Sequence, residues 1–185
     1  MKLFIWLAVA LFLAACEGIF ADPISATDVD DRTITLNEPG QVTVVIYSNQ
    51  DLQERTRKAG ASVYPLQGKK GWRLIITIDL RNSFAWLAKG YSKRRVRANL
   101  DAEAKIIRPY YQENGNPNDP RPALIAFEDF DGKLCHALGF EASDKKLAVV
   151  IFNAKGEVAR RWKDLTDISE LPRELTGLLP AAITR

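Results

Sequence analysis

The chain has 185 residues, 46% of them hydrophobic and 26% charged, with a formal net charge of +3 at pH 7. This composition is that of an ordinary globular protein, and the length suits one domain with a sizeable core. So small a net charge argues against a general polyanion binder, and we expect no nucleic-acid partner. With two cysteines, Cys16 and Cys135, the fold must rest on its core rather than on disulfides.

The first fifteen residues have the features of a bacterial signal sequence. Lys2 precedes an apolar run, Leu3 to Ala15, which is too short to span a bilayer. The run ends in Leu13-Ala14-Ala15-Cys16, which resembles the lipobox of bacterial lipoproteins, where the cysteine is acylated and becomes the mature N-terminus. Ordinary cleavage after Ala21 is the alternative. We expect an exported protein of the periplasm or cell envelope, lipid-anchored at Cys16.

The remaining chain is predicted to form one domain. Residues 16–32 contain glycine, proline, serine and aspartate without apolar periodicity, which predicts a tether. The domain is expected to span residues 33–179 and to begin with a short strand at Thr33 to Leu36. Residues 180–185 are expected to form a tail.

Two β-branched runs, Gln41 to Tyr47 and Trp72 to Leu80, predict central strands. Both are apolar on both faces, so we expect helices on both sides of the sheet. Helices are predicted from Asp51 to about Gly60, over the region Phe84 to Gln112, and from about Ile168 to Leu179. In the middle region, apolar residues at intervals of three or four mark one helix face: Val96, Leu100, Ala104, Ile107 and Tyr111.

Two hairpins are predicted in the last third of the chain. Ala123 to Phe127 and Lys133 to Phe140 flank Asp131-Gly132, a dipeptide that suits hairpin turns because both residues tolerate positive φ. The apolar run Leu147 to Phe152 is followed by a glycine turn and by the more polar strand Glu157 to Lys163.

This order of elements resembles the thioredoxin-like superfamily. The resemblance is carried by Val42-Thr43-Val44-Val45-Ile46-Tyr47 before a helix, and by the closing segment Leu147 to Val158. It is closer to exported bacterial thioredoxin- and peroxiredoxin-like proteins, and it covers about residues 33–178. The resemblance implies an α/β three-layer sandwich with a central mixed sheet flanked by helices.

The sequence departs from that family at its catalytic positions. The family implies a cysteine at the N-terminus of the helix after the first core strand, where the helix dipole stabilises a thiolate. Here Ser48 to Glu54 contains no cysteine, and Ser143 to Lys146 contains no counterpart of the family's cis-proline. We therefore expect the fold without a CxxC motif or dithiol chemistry, and neither a cofactor nor a metal.

Cys135 and His136 are the only adjacent thiol and imidazole, and a cysteine beside a base is a known nucleophile arrangement. On a strand, however, neighbouring side chains point to opposite faces. Because free cysteines are among the most buried residues, a core thiol beside an exposed or satisfied histidine is the favoured interpretation. A catalytic Cys135 is the alternative.

Asp51 and Glu54 could be a carboxylate pair for acid–base work or a metal. Their spacing also fits a capping box at the start of a helix, which explains both residues without chemistry. The capping box is the favoured interpretation.

The densest charge run surrounds Tyr91 and consists of Lys89, Lys93, Arg94, Arg95 and Arg97. Such a run attracts anionic headgroups or an acidic partner, and a lipid anchor would hold it near a membrane. A solvated helix surface explains the same residues.

Two functions follow from these observations. The first is a non-catalytic binding or accessory protein of the envelope, whose partner is an envelope protein or an anionic membrane surface. The second is a peroxidase or thiol-exchange enzyme that uses Cys135 with an outside reductant. A small-ligand carrier is a third reading, for which no pocket-specific residues are present.

Overall fold

The computed structural model describes residues 22–83, 88–141 and 146–179. The strands are β1 (Ser25–Thr27), β2 (Thr33–Thr35), β3 (Val42–Asn49), β4 (Trp72–Asp79), β5 (Ile125–Asp129), β6 (Ala148–Phe152) and β7 (Val158–Trp162). The α-helices are α1 (Gln53–Ala61), α2 (Lys89–Glu113), α3 (Lys133–Ala137) and α4 (Glu170–Leu178). Across these described ranges, no helix combines the length and apolar character needed to cross a membrane.

Five strands form one mixed sheet in the order β5-β4-β3-β6-β7. The first three are parallel, and β6 and β7 are antiparallel to their neighbours. The parallel register places Asn49 opposite Asp79, and Asp79 opposite Asp129. Three polar side chains therefore lie in one row at the carboxyl ends of the parallel strands, the usual place for a site in such sheets.

The central strands β3 and β6 are buried on both faces, as their continuous apolar sequences predict. On one face, Val44, Ile46 and Val149 pack with α1 and with Leu171 and Leu175 of α4. The prediction of a central mixed sheet covered on both sides is confirmed.

On the other face, Val45, Ile75 and Phe127 pack with α3 and with the β1–β2 pair. Helix α2 forms a separate cluster with the edge strand β5 through the apolar positions that its periodicity predicts: Leu100, Ala104, Ile107 and Tyr111.

The segment expected to be a tether is folded from Asp22 onward. Strand β1 pairs antiparallel with β2, and the intervening Val29 is 2% exposed in the cluster under α2. The Val29 N–H donates to the carbonyl of Ala126 at 2.9 Å, and the Arg32 guanidinium donates to the carbonyl of Leu124 at 3.0 Å. The predicted start of the domain at residue 33 is therefore too late. A three-residue strand and one buried valine leave no periodic signal in the sequence.

The hairpin predicted around Asp131-Gly132 is wrong. Strand β5 pairs in parallel with β4, and Lys133–Ala137 is a helix. Asp131 accepts from the Lys133 N–H at 3.2 Å, and Asp129 accepts from the Cys135 N–H at 2.9 Å. Two aspartates thus satisfy free amides of the first helical turn, so the motif begins a helix instead of reversing a strand.

The capping box predicted at Asp51 and Glu54 is also wrong. The chain leaves β3 through a 3-10 turn, Gln50–Leu52, and the side chain of Asn49 accepts from the Leu52 N–H at 3.2 Å. Glu54 instead forms exposed ion pairs with Arg57 and Lys58. Asn49 therefore caps the 3-10 turn, and the α-helix that follows begins without a side-chain cap.

Candidate functional site

The helix that follows β3 begins without a cysteine at the position that the resemblance assigns to redox chemistry. Ser48 and Asn49 stand there, at the end of β3. The hydroxyls of Ser48 and Thr56 lie 2.6 Å apart, and Thr56 also donates to the carbonyl of Leu52 at 3.0 Å. Asn49 caps the turn. These side chains hold the start of the helix by hydrogen bonds and offer no redox-active thiol.

Next to this turn lies a buried polar group that we call the carboxyl-edge cluster: Tyr47, Asp79, Arg81, Asp129 and Cys135. Asp129 is 3% exposed and accepts two hydrogen bonds through Oδ2. The Tyr47 hydroxyl donates at 3.0 Å and the Cys135 N–H at 2.9 Å. Asp129 therefore joins β3, β5 and α3 from inside the core.

Arg81 forms the other half of this cluster. Its Nε donates to Asp79 Oδ1 at 2.9 Å, and its Nη2 donates to Asp79 Oδ2 and lies 3.5 Å from the Cys135 sulfur. A Cβ at Gly132 would lie 2.8 Å from Arg81 Cδ, and Gly132 has φ of 77°. Glycine is needed there because the arginine stem crosses directly over the backbone.

Burial and charge set the ionisation of these groups. Burial favours the neutral form of Asp79, but hydrogen bonds from Arg81 outweigh it and keep the pKa of Asp79 below its ordinary value. The hydrogen bond to Asp79 raises the pKa of Arg81. Burial, together with the charge of Asp129, raises the pKa of the Tyr47 hydroxyl. Tyr47 is therefore a fixed donor, and Asp79 and Arg81 are an ion pair at neutral pH.

The structure places Cys135 and His136 apart. Cys135 is 2% exposed, and its thiol donates to the carbonyl of Phe140 at 3.5 Å, whereas His136 is exposed. They lie on helix α3 instead of the predicted strand, and one helical step of about 100° separates their directions. No group of three or more metal-ligating side chains occurs within the ranges that the structure describes.

A small cavity adjoins the cluster at the carboxyl end of β3. Its lining includes Tyr47, Asp79, Phe140, Lys146 and Lys163. It encloses about 20 Å³, which is room for a water molecule but not for an organic ligand. This cavity gives no support to the small-ligand reading.

The predicted basic run is divided by the helix into two sets. Lys93 and Arg97 face the β1–β2 turn, where both pair with Asp31. Arg97 also donates to the Val29 carbonyl at 2.6 Å. Lys89 lies over the ring of Phe130, with its Nζ 4.8 Å from the ring centroid. These three lysines and arginines contact the rest of the domain.

Arg94 and Arg95 form the second set. Both side chains are exposed on the side of α2 away from the sheet. Neither makes an ion pair in the described part of the chain. Of the five predicted contact residues, these two are the most available to a partner.

A network of arginine–aspartate ion pairs, which the sequence analysis did not predict, holds the β1–β2 turn. Asp28 accepts from Arg32 at 2.7 Å, and Arg121 donates both guanidinium ends to Asp30 at 2.8 and 2.9 Å. The hydrogen bond from Arg121 lowers the pKa of Asp30. The dense acidic segment Asp28 to Arg32 was the available signal, but its arginine partners lie up to 91 positions away.

Comparison with known proteins rests on structure alone. No family model and no curated protein matches the chain. A putative thioredoxin from Neisseria meningitidis is 15% identical with a TM-score of 0.51, and the match covers 86% of this chain and 89% of that protein. The exposed lipoprotein thioredoxin of Streptococcus pneumoniae is 10% identical with a TM-score of 0.52, covering 84% and 99%. A secreted Mycobacterium tuberculosis disulfide oxidoreductase is 12% identical with a TM-score of 0.50, covering 84% and 96%.

These likenesses define the class of fold. The chain has a thioredoxin-like fold, a mixed five-stranded sheet flanked by helices, as the sequence resemblance implies. At such low identity the comparison extends to the fold and not to an activity.

Proposed function

We propose that this chain is an exported binding or accessory protein of the bacterial cell envelope, tethered through Cys16, on a thioredoxin-like fold that performs no dithiol chemistry. The observation that carries the proposal is the occupation of the redox position by Ser48 and Asn49, both engaged in hydrogen bonds. The remaining thiol, Cys135, is 2% exposed and cannot reach a substrate disulfide in this conformation.

Export is supported by the leader-like Met1 to Ala15 and by Cys16 at its end. Those residues lie outside the described part of the chain. Two of the similar structures are themselves described as a secreted protein and an exposed lipoprotein.

The test is expression of the whole chain in a bacterium, followed by fractionation and by mass spectrometry of the mature N-terminus. We expect a membrane-associated protein beginning at an acylated Cys16, and no catalysis of insulin reduction or dithiol oxidation by the purified protein. Disulfide turnover above the buffer rate would overturn the redox-inactive part, and an uncleaved N-terminus would overturn the exported part.

One contact favours the thiol-enzyme alternative. The Arg81 guanidinium donates to the Cys135 sulfur at 3.5 Å, so a cationic donor adjoins the one thiol of the described residues. Under this alternative, the wild type consumes peroxide with an added thiol reductant, and Cys135→Ser abolishes turnover while the far-UV circular dichroism spectrum is unchanged. Absence of turnover by the wild type rejects the alternative.

We also propose that the partner is contacted through the outward side of α2. Reversing the charges of Arg94 and Arg95 is expected to weaken partner capture without unfolding the domain, since both side chains are exposed. Unchanged capture would reject this surface.

A further inference from the structure

Helix α2 has an outer side that nothing in the described structure covers. Its buried positions, such as Leu100 and Ile107, pack in the cluster between α2 and β5. At 3.6 residues per turn, the opposite side is formed by a set of exposed residues that we call the α2 outer face. Its members are Tyr91, Arg94, Arg95, Ala98, Lys105 and Ile106.

Two large apolar side chains stand on this face. Tyr91 is 62% exposed and Ile106 is 53% exposed, the two highest values among the large hydrophobic residues described. They are separated by about 22 Å along the helix, at 1.5 Å per residue. The apolar contact is therefore spread along the helix and is not gathered into one pocket.

The charge of the α2 outer face is positive. Within the described residues, Arg94, Arg95 and Lys105 make no ion pair. The nearby acids are engaged elsewhere: Asp101 pairs with Arg121 at 2.6 Å, and Glu103 accepts from the Tyr64 hydroxyl. The face thus presents cations beside apolar side chains on a convex helix.

We propose that the α2 outer face docks on the anionic phospholipid surface of the envelope. Arginine and lysine side chains are attracted to anionic headgroups, while a tyrosine ring and an isoleucine fit the boundary between headgroups and acyl chains. A protein groove that receives a helix contacts apolar anchors on successive turns, whereas Tyr91 and Ile106 are separated by about 22 Å, a spacing that suits an extended lipid surface.

The position of the chain start agrees with this contact, and here the inference rests on the proposed export. Asp22 lies six positions after Cys16, so a tether of that length spans at most about 20 Å. The β1–β2 turn that follows is linked to α2, because Arg97 donates to Asp31 at 2.9 Å. An acyl chain on Cys16 would keep α2 close to the lipid surface.

The experiment uses the whole chain carrying Cys16→Ser and Ala98→Cys, labelled at residue 98 with a polarity-sensitive fluorophore. Vesicles are made of phosphatidylcholine alone or of equal parts phosphatidylcholine and phosphatidylglycerol. The apolar leader holds the chain at both kinds of vesicle, so the label reports whether the α2 outer face touches lipid. A label at Ala159→Cys, on exposed β7, is the matched control.

We expect a blue shift at residue 98 only with the anionic vesicles, and we expect high salt to abolish it. The label at residue 159 should show no shift. Combining Arg94→Glu with Arg95→Glu should reduce the size of the shift at saturating anionic lipid by about half or more, since each cation near an anionic surface contributes independently. The same charge change made by Arg160→Glu with Arg161→Glu should leave the size of the shift nearly unchanged.

Three results would overturn the inference: an equal shift with neutral vesicles, an equal shift at residue 159, or a shift that survives reversal of Arg94 and Arg95. Loss of capture of an envelope protein on that reversal, without any lipid-dependent shift, would refute lipid as the partner and leave the proposed function standing. An uncleaved N-terminus in cells would instead refute the proposed export.

Discussion

The hydroxyl of Tyr47 donates to Oδ2 of Asp129 across 3.0 Å, although the two residues are 82 positions apart. The same oxygen accepts from the Cys135 N–H at 2.9 Å. A single buried carboxylate oxygen therefore fixes the end of β3, the end of β5 and the start of α3. Removing any donor leaves part of the charge of Asp129 unsatisfied.

Tyr47→Phe should destabilise the domain. The change deletes one hydrogen bond to a buried carboxylate, and we expect the free energy of unfolding to fall by about 1–3 kcal/mol. Urea denaturation followed by circular dichroism measures it. Tyr91→Phe is the matched control, because Tyr91 is 62% exposed. Equal stability of the two variants would mean that the hydrogen bond contributes nothing.

Arg81→Gln should make the protein less resistant to acid. Arg81 lowers the pKa of Asp79, so this pair stabilises the fold above the ordinary aspartate pKa of about 3.9 and loses that effect as pH falls through the folded value. Without Arg81 the largest opposing cause is lost, burial favours the neutral form of Asp79, and acid unfolding begins at a higher pH. At neutral pH the cost should be about 2–3 kcal/mol, since the Arg81 side chain is 24% exposed.

The measurement is an acid titration of intrinsic fluorescence for the wild type, Arg81→Gln and the exposed control Arg160→Gln. A midpoint that moves equally in both variants would show that net charge, and not the pair with Asp79, governs the transition.

Cys135 should react with thiol reagents mainly after opening of the structure. At 2% exposure, its alkylation in the native protein should be slower than in denaturant by about a hundredfold or more, because reaction must wait for local unfolding. Rates are measured in Cys16→Ser protein across pH. A fast native rate with a depressed thiol pKa would contradict this and favour the thiol-enzyme alternative.

Gly156→Ala should be more costly than Gly115→Ala. Both glycines have positive φ, 82° and 67°, so both changes carry a backbone cost of about 1–2 kcal/mol. A Cβ at Gly156 would also lie 2.4 Å from the carbonyl oxygen of Asn37, whereas a Cβ at Gly115 meets nothing within 4 Å. Thermal melts that rank the two variants equally would show that the Asn37 contact yields freely.

A chain beginning at Thr33 should be less stable than one beginning at Asp22. The shorter chain lacks Val29, which is 2% exposed, and the aspartates that bind Arg97 and Arg121. We expect the free energy of unfolding to fall by about 3 kcal/mol or more. If both chains unfold at the same urea concentration, residues 22–32 are an accessory to the fold and not part of it.

Much of the fold could be predicted because its signals are local and repeated. The apolar runs of β3, β4 and β6 and the three-to-four spacing of Leu100, Ala104 and Ile107 depend on neighbours in sequence. Short elements whose residues fit more than one structure could not be predicted correctly. Asp131-Gly132 satisfies both a hairpin turn and a helix start, and only the parallel partner of β5 decides between them.

The carboxyl-edge cluster could not be predicted, since its members come from four separate segments. Asp79 ends β4 and Arg81 follows two positions later, whereas Asp129 and Cys135 lie beyond a helix of 25 residues. In the sequence, Tyr47 fits the pattern of an apolar residue in a buried strand. Their convergence follows from the strand order, which no local pattern records.

The hydrogen bond between Arg32 and the Leu124 carbonyl can form only late during synthesis of the chain. These residues are 92 positions apart, so at translation rates of about 5–20 residues per second roughly 5–20 seconds separate their synthesis. The segment made first is thus among the last to find its partners, and the edge of the sheet stays open until then. For the proposed export, this delay gives a translocase time to engage the chain while it can still be threaded.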